Sequence, residues 1–125
     1  MAASCVQRDD WCTTVGDRTV RTYQFLTDGD PWPLQGAVVT SQVRAKASDP
    51  DPAVLDAVCE SVDEAAGIFT VEYATESARD LMVGDKPWVG VFDIQVLEPG
   101  ETLPETIVGG SFTLLPDVTR DPAVA

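Results

Sequence analysis

Three pairs of neighbouring carboxylates, Asp28 with Asp30, Asp49 with Asp51 and Asp63 with Glu64, are the residues whose types and spacing could do chemistry. Such pairs supply oxygen ligands to calcium, or the acid and base of a glycosidase. A calcium loop also needs a third acidic position and a closing glutamate, and none of the three pairs has them. A glycosidase needs a defined separation between its carboxyl groups, which the sequence does not specify. Each pair falls in a predicted turn, where aspartate side chains hydrogen-bond the local backbone, so the structural reading is preferred. The chain has no histidine, which removes the imidazole base of triad chemistry and the commonest metal ligand. Gly109-Gly110-Ser111 and Val83-Gly84-Asp85 match neither a phosphate loop nor a dinucleotide fingerprint; their glycines suit a bulge or a close backbone approach. No catalytic residue, metal or cofactor is expected, and the chain is not read as an enzyme.

The large aromatics are better candidates. Trp88 opens an apolar strand and reads as core. Trp11 and Trp32 lie in an arm and a loop, where a wide ring has less to pack against. Each is either a lid over an end of the fold or an anchor for a partner. The interface reading is preferred for Trp11, and the two stand level for Trp32. Either ring could also serve a ligand-binding module as a platform for a sugar. Cys5, Cys12 and Cys59 are odd in number and form no Cys-x-x-Cys pair, which suits a reducing compartment. Cys59 continues the alternation Leu55, Ala57, Cys59 and reads as a small core residue, while a Cys5–Cys12 or Cys12–Cys59 bridge stays open.

What must position these residues is a set of strands. Thr19 to Leu26 is rich in β-branched and aromatic residues, with Arg21, Tyr23 and Phe25 on one side. After Asp28 to Pro33, the residues Ala37, Val39, Ser41, Val43 and Ala45 alternate with Val38, Thr40, Gln42, Arg44 and Lys46. This period of two predicts a hairpin or a Greek-key corner. The two Asp-Pro steps between Lys46 and Ala53 predict a loop. Strands follow at Val54 to Ser61, at Ile68 to Tyr73, at Trp88 to Leu97 and at Glu105 to Leu115. The first half of Trp88 to Leu97, the longest, predicts cover on both faces; Phe112 and Leu114 are expected in the core. Thr75 to Met82 predicts one short helix capped by Thr75.

The expectation is one all-β domain, an antiparallel immunoglobulin-like sandwich of six to seven strands with one short helical turn and extended termini. Residues 1–15 are expected to be an arm or edge strand, 16–115 the sandwich and 116–125 a tail. With 125 residues, 21 acidic and eight basic, the formal charge is −13 and the basic residues are scattered, so nucleic acid is not an expected partner. No apolar run approaches the roughly 20 residues of a membrane helix. Met1 to Asp10 lacks the basic and apolar regions of a secretion signal, so synthesis in the cytoplasm is expected.

Read in order, Gly16-Asp17, Tyr23-Gln24-Phe25, Asp28-Gly29, Pro33-Leu34-Gln35-Gly36-Ala37, Val43-Arg44, Ala66-Gly67-Ile68, Phe92-Asp93-Ile94-Gln95-Val96 and Gly110-Ser111-Phe112-Thr113-Leu114 carry a resemblance. They resemble the N-terminal β-sandwich domain of phage baseplate upper proteins and the small tailed-phage virion proteins that share it. The resemblance spans about residues 16 to 120. It departs from the usual pattern at Gln35, where a threonine is typical, and at Glu98-Pro99-Gly100-Glu101, where an aspartate- or glycine-rich turn is typical. The stalk that follows this domain in the baseplate protein has no counterpart up to Ala125. The resemblance implies a virion structural protein of the tail, tail tip or baseplate, with a capsid decoration or head-to-tail connector protein as the alternative. It implies other virion proteins, or further copies of itself, as partners; a small-molecule ligand is not expected. Trp11, Trp32, Pro116, Val118 and Arg120 are the expected interface residues.

Overall fold

β-branched and aromatic residues at every second position give strands whose inner side chains meet in one core. The computed structural model describes residues 7–27, 29–47 and 53–117. Its strands are β1 (Gln7–Arg8), β2 (Trp11–Thr14), β3 (Arg18–Gln24), β4 (Leu26–Thr27), β5 (Asp30–Pro31), β6 (Val38–Arg44), β7 (Leu55–Asp56), β8 (Val58–Asp63), β9 (Ile68–Ala74), β10 (Trp88–Leu97) and β11 (Glu105–Leu115), with a 3-10 helix at Thr75–Leu81. Seven of these strands are four residues or longer, and the other four are two-residue pieces. The larger sheet runs β1-β11-β10-β6-β7 with β2 also on β11; the smaller runs β3-β9-β8; β4 and β5 form a ribbon. The fold is an all-β sandwich.

Phe92, Ile94 and Val96 of β10 and Phe112 and Leu114 of β11 face Phe69, Val71 and Tyr73 of β9 across a buried core. The rings of Tyr73 and Phe112 meet edge to face at 5.2 Å, bridging the two sheets. One polar chain crosses this core. Ser41 Oγ donates to the carbonyl of Asp93 at 2.7 Å, so it accepts from the hydroxyl of Tyr73, and both buried hydroxyls are satisfied.

Four expectations are narrowed or corrected. First, of the hairpin and the corner, residues 19–46 make the corner: β3 pairs with β9 and β6 with β10, so the chain changes sheet between them. Leu34, buried on the way, draws this link into the core, and its N–H donates to Glu64 O at 2.8 Å. Second, the sheet is mixed, because β1 and β2 both run parallel to β11. Third, Val54 to Ser61 is two strands. At Ala57, whose N–H donates to Ser41 O at 2.9 Å, the chain leaves the larger sheet for the smaller while the inward alternation of Leu55 and Cys59 continues. Fourth, β10 is covered on one face only, since Val89 is 59% exposed, and at 10 residues it is one shorter than β11 at 11.

The helix differs in its cap. Ala74 is the N-cap and makes no side-chain cap bond, while Thr75 is fully buried. The Thr75 hydroxyl donates to the carbonyl of Asp17 at 2.6 Å and lies 3.3 Å from that of Thr14, tying the helix to the β2–β3 turn. Gly67, between β8 and β9, has φ +72°, and a Cβ there would lie 2.5 Å from Trp32 O and 2.7 Å from Phe25 O. Only glycine fits that turn beneath the β4–β5 ribbon.

Candidate functional site

Parallel pairing with β11 carries Trp11 into the open flank of the sandwich, where it is 1% exposed. Its ring lies 5.2 Å from Tyr73, 5.6 Å from Phe92 and 5.8 Å from Phe112. The indole N–H donates to Thr19 Oγ1 at 3.1 Å, and the Arg21 guanidinium sits 4.7 Å over the ring. The expected interface role for Trp11 therefore does not hold: this ring is a core side chain with its polar atom satisfied. Asp9 completes the flank. Its carboxylate accepts from Arg21 Nη1 at 2.8 Å and from the Tyr23 hydroxyl at 2.7 Å. Burial, then the adjacent Asp9 carboxylate, push the Tyr23 phenol well above its usual range. Together these contacts lock the β3 edge of the smaller sheet against β1 and β2.

Trp32 is half-buried and stacks face to face on Phe25, with centroids 4.6 Å apart and planes 6° apart. One ring face is thus already used, which weakens its value as a sugar platform. Pro116 is half-buried, and the next residue, Asp117, accepts from Arg79 at 3.1 and 3.3 Å. Val118, Arg120, Cys5, Asp28, Asp49 and Asp51 lie outside the described residues. Asp63 takes the turn role expected of it, accepting the Ala66 N–H at 3.2 Å. Among the described residues no group of three His, Cys, Asp or Glu side chains is placed to hold a metal ion. Cys12 is exposed and Cys59 half-buried; both are free thiols, and burial pushes the Cys59 thiol up to about 11.

The outer face of the larger sheet carries an open polar trough of about 810 Å³, lined by Arg8, Gln42, Arg44, Asp93, Gln95 and Ser111 among others. Its groups mostly engage one another. Gln42 donates to Asp56 at 2.7 Å and accepts from Arg44 at 3.2 Å, while Gln95 donates to Asp93 and to Thr106, each at 3.3 Å. At its margin Asp10 accepts the N–H and the hydroxyl of Ser111, both at 3.0 Å, which holds its carboxyl below the ordinary value. Asp93 is raised by burial, against the lowering effects of Gln95 and Arg44. Its folded pKa therefore exceeds its unfolded one, and the ionised form weakens the fold as pH climbs through that interval. Asp93→Asn is expected to melt at the same or a higher temperature than wild type at pH 7, with the difference gone by about pH 3. A lower melting point at pH 7 would show that the carboxylate is stabilising.

A search of protein-family models and one of curated proteins match nothing to this chain.

The sheet ends differ in how they are guarded. β3 is stapled by Trp11, Arg21 and Asp9, and β7 is two residues long. β8 is different: six residues, paired on one side with β9 in regular register from Val58 to Ser61 and with a bulge before Asp63, and last in its sheet. Among the described residues, nothing pairs with its other side. Val58 and Val62 are 56% and 63% exposed along it, and even the inward-facing Ser61 is exposed, so β8 forms the lip of the sandwich. Sequence reasoning missed this site because it merged β7 with β8. The usable signal was the alternation of Val58, Glu60 and Val62 on the outer face.

Proposed function

We propose that the protein is a structural component of a tailed-phage virion, of the tail, tail tip or baseplate, working by protein–protein assembly without turnover. It is made in the host cytoplasm and carried in the particle. The order of short motifs shared with baseplate upper proteins supports the class of virion. The observation that carries the mode of action is the β8 edge, unpaired among the described residues, since an open ladder of N–H and C=O groups is a ready template for another chain. A capsid decoration or connector protein would use the same edge, so position in the particle is a question for experiment. A ligand-binding module draws less support, because Trp11 is buried, Trp32 is stacked and the trough groups satisfy one another.

Mass spectrometry of purified virus particles tests this reading. The chain should be recovered at a fixed ratio to the major tail or head proteins. Its absence from intact particles, together with saturable glycan binding by the isolated protein, would replace assembly with ligand binding.

A further inference from the structure

The β8 edge also constrains what pairs with it. From Asp56 to Glu64 the chain reads Asp-Ala-Val-Cys-Glu-Ser-Val-Asp-Glu, with four acidic residues and no basic one. Glu60 lies between the exposed Val58 and Val62, while Asp63 and Glu64 follow at the far end. A strand laid antiparallel along this edge would set its own side chains opposite these residues, where facing like charges repel and opposite charges attract. A second copy of the chain would bring the same acids to the same edge, within a molecule of net charge −13. Charged side chains on an edge are a recognised guard against such self-pairing. The same charges admit a partner of the opposite sign.

We propose that β8 is the docking edge for an extended segment of a different protein, one whose outward-facing residues, every second along the segment, run apolar, lysine or arginine, apolar. On that face its apolar residues meet Val58 and Val62, the cation between them meets Glu60, and its backbone extends the order β3-β9-β8 by one strand. This rests on the assembly reading for its biological setting, but not for its test.

The probe is an eight-residue peptide, Thr-Val-Thr-Lys-Thr-Val-Thr-Lys, which sets valine and lysine in turn along one face, with the same peptide carrying glutamate in place of lysine as its counterpart. Affinity is read by fluorescence anisotropy, and the site by backbone amide hydrogen exchange. The lysine peptide should bind, slow exchange within residues 58–63, and bind more weakly as salt rises. Glu60→Lys/Glu64→Lys should weaken it about tenfold and admit the glutamate peptide. Glu98→Lys/Glu101→Lys makes the same change in net charge elsewhere and should leave affinity nearly unchanged. Thermal melts of both variants establish that they fold, and Glu60→Lys alone, with a smaller loss in the same direction, serves if the double variant does not. Equal weakening by both double variants, or exchange unaltered at 58–63, would reduce the attraction to diffuse charge and overturn the proposal. A chain found in particles whose edge amides ignore the peptide would sink the edge while leaving assembly intact.

Discussion

Trp11→Ala lowers the unfolding free energy by about 3 to 5 kcal/mol, the range for deleting a large buried ring. The ring is in contact with aromatics from three strands, Tyr73 of β9, Phe92 of β10 and Phe112 of β11. Its removal leaves a void beneath Arg21, whose guanidinium loses the ring face it covers, and strands Thr19 Oγ1 without its indole donor. Trp11→Phe keeps most of the buried volume but not the hydrogen bond, so it should cost distinctly less. Denaturant titration followed by circular dichroism measures both without relying on the fluorescence of the deleted residue. A loss below about 1 kcal/mol for the alanine variant would mean that the N-terminal strand does not contribute to the core.

The second large effect is expected at Gly110. A Cβ there would lie 1.9 Å from the carbonyl oxygen of Asp9 and 2.8 Å from its carbonyl carbon. Both are main-chain atoms, which no side-chain rotation can clear, so the N-terminal strand itself has to move. Gly110→Ala is therefore expected to cost about 1 to 3 kcal/mol or more, the range for overpacking. The hydrogen bonds from Ser111 to Asp10 lie one residue along and would be strained as well. Hydrogen exchange gives the location: faster exchange in residues 7–14 with β8 and β9 unchanged. A variant as stable as wild type would show that β1 can shift at no cost.

Sequence alternation was enough to identify the inner face of most strands. Phe69, Val71 and Tyr73, like Phe112 and Leu114, lie inward at the expected period, because a half-buried strand leaves that imprint on its own residues. Sheet membership leaves no such imprint. Leu55, Ala57 and Cys59 keep one inward alternation across the passage from β7 to β8, so the change of sheet at Ala57 was invisible. Trp11 was misplaced for a related reason. Its strand is only four residues long, too short to show an alternation, and the strand that buries it begins with Glu105. Thr75 illustrates competition between local and distant partners: it has the composition of a cap, but its hydroxyl goes to the carbonyl of Asp17. The β8 edge was legible only in part, since valines and acids can be read from the chain while an unpaired ladder cannot.

The pairing of the N-terminal strand with β11 also sets an order of events during synthesis. Asp10 and Ser111 are 101 residues apart, so β1 and β2 leave the ribosome about a hundred residues ahead of the strand they pair with. At typical elongation rates that wait is roughly 5 to 20 s, during which Trp11 lacks β11, the strand its own strand pairs with. Folding of this sandwich can close only once β11 has been made.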